Sequence, residues 1–249
     1  MQYGICNLSM VPVRNQPADA SEMVTQLLYG DHFKILEERG KWSRIRIAFD
    51  SYEGWVDNRQ FLKIDETQYF DLDAEERIYS SDIIEYLIDA SGNLTAIPMG
   101  AILNSNSLLK NTFDGGSITG VKQKSDLIKT ALLYFNTPYL WGGKTPFGID
   151  CSGLTQMVYM LNGFSLLRDA SQQSTQGEPL SFIEESEPGD LAFFDNSDGT
   201  ITHVGIIMHD NYIIHVNGKV RIDRLDHSGI FNAELKRHTH QLRVIKKII

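Results

Sequence analysis

The chain has 249 residues, of which 42% are hydrophobic and 22% charged, and its formal net charge is −9. This length and composition are typical of a globular protein of one to three domains. No run approaches the roughly 18 apolar residues of a membrane-spanning helix, and the acidic balance disfavours nucleic acid and anionic membranes as partners.

The N-terminus lacks the basic region and the long apolar segment of a secretory signal. The two cysteines lie in different contexts and do not make a disulfide framework. If Met1 is the native start, the sequence predicts a cytoplasmic protein.

Residues 1–63 contain five short predicted strands, and turn residues such as Gly30, Gly40 and Asp50 separate them. Short strands at regular spacing predict a small all-β barrel. The predicted strands are 10–14, 24–28, 32–37, 42–49 and 54–56.

Residues 64–117 predict a second, shorter barrel with strands at 85–89, 94–97 and 100–103. Acidic residues outnumber basic ones over 64–124, and Gly115-Gly116 lies near the far end of that stretch. This shift in composition places domain boundaries near residues 64 and 118. The acidic run 71–76 is interpreted as a solvated loop or helix.

Residues 118–249 predict an α+β domain. A first helix is predicted over 126–135 with Ser125 as its N-cap, and a second helix begins at Cys151. An antiparallel sheet is expected to pack against the second helix, and its strands are predicted at 191–194, 203–208, 212–216 and 241–245.

Cys151 is the strongest candidate for a nucleophile. The residues that follow Asp150 have the spacing of one buried helical face, namely Leu154, Met157, Val158 and Leu161. Asp150 is a good N-cap, so Cys151 lies in the first turn, where the helix dipole favours a thiolate. We therefore expect Cys151 to be a thiolate at neutral pH.

Two histidines can serve this cysteine if the hairpin that carries them has the right register. With a three-residue loop at 209–211, His215 lies opposite Gly205, and His203 is its diagonal neighbour on the same face. A two-residue turn would place the two histidines on opposite faces. In the first register His203 takes the thiol proton and His215 orients the His203 ring.

The remaining cysteine and histidines predict no further chemistry. Cys6 is expected to be a packed core residue. Four histidines outside the triad (His209, His227, His238 and His240) are expected to be solvated. Two cysteines so far apart in the sequence do not predict a zinc site, and no metal or cofactor is expected.

From about residue 125 to the C-terminus the chain resembles the NlpC-type bacterial cysteine peptidases, which are papain-like enzymes that cut cell-wall peptides. The matching motifs occur in the order of that family. They are Tyr139 with Trp141-Gly142-Gly143, Asp150-Cys151-Ser152-Gly153, Arg168-Asp169-Ala170 with Gln173, Pro188-Gly189-Asp190-Leu191-Ala192-Phe193-Phe194, His203-Val204-Gly205 and Ile214-His215.

Residues 42–46 and 52–56 resemble the bacterial Src-homology-3-like barrels that are often fused to cell-wall hydrolases. The fold class expected is therefore two small all-β Src-homology-3-like barrels followed by an α+β papain-like catalytic domain. With no secretory signal, this arrangement is most similar to the murein-recycling γ-D-glutamyl-L-diamino acid endopeptidases of the dipeptidyl-peptidase VI type.

The resemblance implies a monomeric enzyme that cuts murein tripeptides or tetrapeptides with a free N-terminal L-Ala. The Cys151 backbone N–H and the Tyr139 hydroxyl would bind the oxyanion. Groups expected to accept from the substrate ammonium are Asp150, Glu22 and Tyr52. Groups expected to bind the D-glutamyl carboxylate are Ser152 and Arg168.

Two other functions stay open on the sequence. Papain-like folds also act as amidases or acyltransferases on other acyl substrates, since a fold does not settle the chemistry. A wall-peptide binding module with an inactive catalytic domain is the third hypothesis. The intact Cys151, His203 and His215 argue against that third hypothesis.

Overall fold

The computed structural model describes all 249 residues, and the chain divides into two compact units, Met1–Gly120 and Val121–Ile249. The first unit is mostly strand. Its larger sheet has seven strands: β1 (Gln2–Ile5), β2 (Met10–Arg14), β3 (Met23–Leu28), β4 (His32–Arg39), β5 (Trp42–Ile47), β6 (Glu53–Asp57) and β7 (Leu62–Ile64), in the order β3-β2-β6-β5-β4-β1-β7. The five strands predicted between residues 10 and 56 are confirmed, and β1 and β7 are additional.

Alternation of apolar and polar residues explains this sheet. In β5 the residues Ile45 and Ile47 are buried in the core, whereas Arg44 and Arg46 on the opposite face are exposed. Side chains of a strand point alternately to its two faces, so the apolar set lies in the core. That core also contains Cys6, which is completely buried as expected. Burial raises the pKa of the Cys6 thiol, which keeps it protonated and unreactive.

The rest of the first unit is smaller. It contains helices α1 (Glu66–Ala74) and α2 (Asn106–Leu109) and strands β8 (Tyr79–Ser80), β9 (Ile84–Asp89), β10 (Leu94–Pro98), β11 (Asn111–Phe113) and β12 (Ser117–Ile118). Strands β10, β9 and β11 form one antiparallel sheet, and β12 pairs with β8. The acidic run lies largely in α1, where Asp65 and Gln68 form a capping box. The division predicted at residue 64 stays a prediction.

The second unit has three α-helices, α3 (Asp126–Leu133), α4 (Cys151–Leu161) and α5 (Ala170–Gln173). Its strands are β13 (Lys144–Thr145), β14 (Gly148–Ile149), β15 (Glu178–Leu180), β16 (Leu191–Asp195), β17 (Ile201–Ile207), β18 (Tyr212–Asn217), β19 (Lys219–Asp226), β20 (Gly229–Asn232) and β21 (Arg237–Lys247). The first two helices begin where the sequence predicts. Ser125, however, has helical backbone angles and makes no capping hydrogen bond, so its predicted N-cap role is wrong.

The strands of the second unit form a seven-stranded antiparallel sheet in the order β15-β21-β16-β17-β18-β19-β20, while β13 and β14 pair separately. Helix α4 contacts β17 and β18 in the middle of that sheet. All residues of α4 after Cys151 are buried. A helix that is buried on every side lies in a core, so α4 holds Cys151 on a rigid support. No helix of the chain has the length and apolar character needed to cross a membrane.

Candidate active site

Cys151 is the first residue of α4, and Asp150 is its N-cap. Asp150 has extended backbone angles, and its Oδ1 accepts a hydrogen bond of 2.6 Å from the Gly153 amide. That bond satisfies one of the amides that a helix N-terminus leaves without a partner. The Cys151 thiol is free and half-buried. The predicted position of the cysteine at the start of a helix is confirmed.

A buried ion pair holds the Asp150 carboxylate in place. Arg168 donates to both of its oxygens, from Nη1 to Oδ1 at 3.0 Å and from Nη2 to Oδ2 at 2.7 Å. The Gly142 amide donates to Oδ2 at 2.8 Å, and Arg168 Nη1 also donates to Ser152 Oγ at 3.0 Å. A bidentate arginine–carboxylate pair fixes both position and orientation. The structure therefore shows Arg168 and Ser152 bracing the N-terminus of α4; their predicted contact with substrate stays a prediction.

Two glycines let the backbone approach the start of α4. A Cβ atom on Gly153 would lie 2.3 Å from the carbonyl oxygen of Gly143, and one on Gly143 would lie 2.4 Å from the oxygen of Gly148. Neither distance is sterically possible without a backbone shift. Gly143 of the Trp-Gly-Gly motif and Gly153 of the Cys-Ser-Gly motif are therefore in close contact. This contact holds residues 142–143 against the first turn of α4.

The hairpin of β17 and β18 has the register on which the triad hypothesis depends. His215 pairs with Gly205, and residues 209–211 form the connection. Asp210 and Asn211 adopt left-handed backbone angles, with φ of 58° and 59°. Asx residues tolerate that conformation better than most. The predicted three-residue loop is confirmed, and the two histidines meet on one face.

A chain of hydrogen bonds runs inward from His203. Its Nε2 lies 2.9 Å from His215 Nδ1, and His215 Nε2 lies 3.0 Å from Asp223 Oδ2. Arg221 donates to both oxygens of Asp223, from Nε at 2.7 Å and from Nη2 at 3.0 Å. All three members of the His203–His215–Asp223 chain are buried.

The hydrogen bond to Asp223 determines the tautomers of His215 and His203. Burial raises the pKa of its carboxyl, but hydrogen bonds from His215 and Arg221 outweigh burial and lower that pKa overall. An ionised carboxylate only accepts, so His215 carries its proton on Nε2 and accepts at Nδ1. His203 must then donate from Nε2, and its Nδ1 is left with a lone pair. That nitrogen is the one able to take the proton of a thiol.

Sequence reasoning missed Asp223 because it lies in β19, a strand that was not predicted. The only sequence signal is that the apolar Val220 and Ile222 alternate with the charged Arg221 and Asp223, which is typical of a strand. Its position opposite Ile213 puts Asp223 beside the ring of His215.

His240 is not solvated as expected. It lies in β21, and its ring stacks on that of His203 with centroids 4.1 Å apart and planes 22° apart. Burial lowers the pKa of His240 to about 4, with a smaller contribution from His215. The other three histidines expected to be solvated (His209, His227 and His238) are exposed. The pattern of β21 does not predict this contact. His238 and His240 are two residues apart in one strand, yet His240 stacks on His203 whereas His238 contacts Phe231.

The structure corrects the expected ionisation of Cys151. Burial, and then the charge of Asp150, raise the pKa of its thiol to about 12, although amides of Val204 and Ser152 and the charge of Arg168 oppose the rise. Burial also lowers the pKa of His203 well below its ordinary value, and His240 and His215 lower it further. The resting pair is therefore a neutral thiol and a neutral imidazole, because the helix N-terminus does not offset burial next to a carboxylate.

The Val204 amide places the thiol beside β17. Its hydrogen bond to Cys151 comes from the residue directly after His203. Burial raises the pKa of the Tyr139 phenol, and Cys151 and Asp150 raise it further. A raised pKa keeps the Tyr139 hydroxyl protonated, which is the form that donates to an oxyanion.

Glu22 and Tyr52 belong to the first unit. Glu22 is exposed, and its backbone oxygen accepts from the Asn15 amide at 2.9 Å. Tyr52 is half-buried against the core of that unit, and its amide donates to Asp50 Oδ1 at 3.0 Å. Their contact with substrate stays a prediction.

Sequence comparisons match each unit with a known type of domain. Residues 136–241 match the NlpC/P60 family, and residues 13–61 match the bacterial dipeptidyl-peptidase Sh3 domain. The chain is 29% identical over 251 residues to dipeptidyl-peptidase 6 of Lysinibacillus sphaericus, which covers 85% of this chain and 87% of that protein. It is 26% identical over 216 residues to the gamma-D-glutamyl-L-lysine dipeptidyl-peptidase of Bacillus subtilis, covering 77% of this chain and 71% of the relative.

Solved structures share the fold. An NlpC/P60 family protein from Bacillus cereus has a TM-score of 0.77 at 18% identity, and the match covers 99% of both chains. An NlpC/P60 endopeptidase from Photobacterium damselae subsp. piscicida has a TM-score of 0.70 at 17% identity and covers 97% of this chain and 70% of that one. These matches confirm the predicted fold class, Src-homology-3-like β-structure followed by an α+β catalytic domain.

Proposed function

Since the chain carries an NlpC/P60 domain behind a bacterial dipeptidyl-peptidase Sh3 domain, and is a cysteine peptidase, we propose that it hydrolyses the γ-D-glutamyl–diamino acid bond of murein peptides that have a free N-terminal L-Ala. The names of two relatives support the bond: both the Bacillus subtilis and the Bacillus cereus proteins are called gamma-D-glutamyl-L-lysine dipeptidyl-peptidase. The single observation that carries catalysis is the His203–His215–Asp223 chain beside Cys151.

The neutral resting pair defines the first step. His203 Nδ1 takes the thiol proton as Cys151 Sγ attacks the carbonyl carbon of the γ-glutamyl bond. The negative oxygen that forms is bound by the Cys151 backbone N–H and the Tyr139 hydroxyl. His215 and Asp223 hold the imidazolium that results, and Asp223 stays ionised throughout.

The second step releases the diamino acid and then the dipeptide. The imidazolium of His203 gives its proton to the leaving nitrogen, the C–N bond breaks, and a thioester on Cys151 remains. Water then attacks the thioester with His203 as the base, which frees the L-Ala-D-Glu dipeptide and restores the thiol. No cofactor takes part in these steps.

A free N-terminal amine is the proposed basis of substrate choice. An ammonium that leaves water needs acceptors, because burying it without a partner costs several kcal/mol. We assign that role to Asp150, Glu22 and Tyr52. Peptides with a free L-Ala amine are fragments already released from the wall, so the proposal includes a monomeric enzyme that recycles such fragments in the cytoplasm.

Mass spectrometry of products from L-Ala-γ-D-Glu-diaminopimelate tests the function. The expected products are L-Ala-D-Glu and free diaminopimelate, and Cys151→Ala is the control without activity. The N-acetylated tripeptide should stay intact, and Glu22→Gln or Tyr52→Phe should raise KM for the free tripeptide. Cleavage of the acetylated peptide at the same rate contradicts the free-amine requirement, while absence of cleavage of either peptide favours an amidase, an acyltransferase or a binding module.

A further inference from the structure

Three imidazoles surround one point of the active site of the second unit. His203 comes from β17, His215 from β18 and His240 from β21, and one ring nitrogen of each lies within 4.8 Å of the other two. A zinc ion with three imidazole ligands at about 2.0–2.1 Å needs nitrogens roughly 3.3 Å apart. His203 Nε2 and His215 Nδ1 are 2.9 Å apart, and the ring of His240 is stacked on that of His203, so the ion binds when the His203 and His215 rings tilt apart and the His240 ring turns out of the stack.

We propose that His203, His215 and His240 bind one Zn²⁺ ion, and that this binding switches the peptidase off. The ion is a regulator in this proposal and takes no part in the reaction. Three nitrogen ligands select zinc or a similar transition-metal ion over Mg²⁺ and Ca²⁺, which prefer oxygen. The site itself rests on geometry alone; only the loss of activity rests on the proposed function.

The surroundings of His215 are those of a metal ligand. A histidine that binds a metal usually donates its other ring nitrogen to a carboxylate, which fixes the ring and its tautomer. His215 Nε2 makes this bond to Asp223 Oδ2 at 3.0 Å. Arg221 fixes the carboxylate in turn. The Nδ1 atom of His215 is thus directed toward His203 in the form that a metal requires.

Metal binding and catalysis compete for one proton. In the metal-free chain the Nε2 atom of His203 carries a proton and donates it to His215. To bind the ion, Nε2 must lose that proton, and the neutral ring then carries it on Nδ1. Because Nδ1 is the atom that takes the thiol proton, the zinc-bound chain has no base for Cys151.

The ion has an access route from solvent. His240 is half-buried, and it lines a surface cavity of about 530 Å³ together with His227 and His238. His238 in that cavity is 2.8 Å from Asp226. It lies two residues from His240 on the same strand, so it provides a matched control that is exposed to the same solvent.

Calorimetric titration of the full-length Cys151→Ala chain with zinc chloride tests the site itself. This background removes the rival site made of the Cys151 thiolate and His203. We expect one ion per chain. Adding His240→Phe, which keeps an aromatic ring over His203, should weaken binding by about tenfold or more, whereas adding His238→Ala should leave it unchanged.

A second measurement tests whether zinc inhibits the peptidase. Zinc should inhibit hydrolysis of the tripeptide by the chain with its native cysteine, and His240→Phe should need about tenfold more zinc for the same fractional loss of its own zinc-free rate. His240→Gln, checked for cooperative thermal unfolding, serves if the phenylalanine variant does not fold. Absence of zinc binding by the Cys151→Ala chain, or binding that His240→Phe and His240→Gln leave unchanged, overturns the proposal. A chain that binds zinc but cleaves no murein peptide keeps the site and refutes the proposed substrate alone.

Discussion

At the scale of single residues, the reactivity of this site depends on how burial and charge act on four titratable side chains. Burial lowers the pKa of His203 and His215 and raises that of the Cys151 thiol. Asp223 differs because Arg221 and His215 compensate for its burial. The result is a neutral base, a neutral nucleophile and one fixed negative charge behind them. Proton transfer must therefore accompany the attack on substrate.

The protonation state of the resting nucleophile predicts its pH-dependence. If the thiol pKa lies near 12, the rate of alkylation of Cys151 by iodoacetamide should rise about tenfold per pH unit from pH 6 to beyond pH 9, because only the thiolate reacts. Labelling is followed by mass spectrometry, and Cys151→Ala corrects for Cys6. A plateau that begins below pH 7 indicates a preformed thiolate–imidazolium pair and contradicts this assignment.

Asp223 is expected to act as a positioning residue for the base. In Asp223→Asn an amide can present its NH₂ group to His215, which favours the wrong tautomer of both histidines. We expect kcat to fall by about 10- to 100-fold with little change in KM. Glu234→Gln is the matched control, since Glu234 also pairs with Arg221 but is exposed. Equal losses in the two variants, or a loss in KM alone, contradict the positioning role.

At the scale of secondary-structure elements, the start of α4 is held by a backbone contact as well as by side chains. Intrinsic helix propensity favours alanine over glycine by about 1 kcal/mol. The contact between Gly153 and the Gly143 carbonyl predicts the opposite result. A methyl group there must push residues 142–143 away from Asp150 and from the first turn of α4.

Gly153→Ala is therefore expected to lower the free energy of unfolding by about 1–3 kcal/mol, the usual cost of overpacking. It should also reduce kcat, because Cys151 and Tyr139 lie on the two segments that separate. Denaturant unfolding and steady-state kinetics measure the two effects. A Gly153→Ala variant that is more stable and fully active contradicts this prediction, because residues 142–143 would then move without loss of stability or activity.

At the scale of the whole molecule, the neutral buried histidines make the chain sensitive to acid. His203, His215 and His240 have folded pKa values below the ordinary value of about 6.5. Below that pH the unfolded chain binds more protons than the folded chain, so the free energy of unfolding falls as the pH drops toward the folded values. Asp223 has a lowered folded pKa, and its contribution is lost only below about pH 4.

The melting temperature should therefore be constant between about pH 7 and 8 and fall below about pH 6.5. His240→Phe should make this fall shallower, because the side chain with a folded pKa of about 4 no longer takes up a proton on unfolding. His238→Ala is the control at an exposed position. Differential scanning calorimetry gives the slope of the melting temperature against pH for the unsubstituted chain and the two variants. Identical slopes for all three contradict a role of His240 in the acid sensitivity.

The sequence by itself determined what local patterns encode. Alternation of apolar residues predicted five of the seven strands of the larger sheet in the first unit, and helical spacing after Asp150 predicted α4 with Cys151 at its start. The polar connection at 209–211 predicted the hairpin, although the sequence left its register open. These features depend on residues a few positions apart, whose side-chain direction follows from the geometry of one helix or one strand.

Only the tertiary structure decided the electrostatics of the site. His240 reaches His203 from β21, a strand distant in sequence, while Asp223 reaches His215 across the neighbouring strands β18 and β19, and no local pattern records which of these side chains then touch. The fold also buries Arg168 in an ion pair with Asp150, a contact that the sequence did not predict. The thiol is neutral for the same reason: a helix N-terminus is visible in the sequence, whereas burial, which outweighs it here, is a property of the packed core.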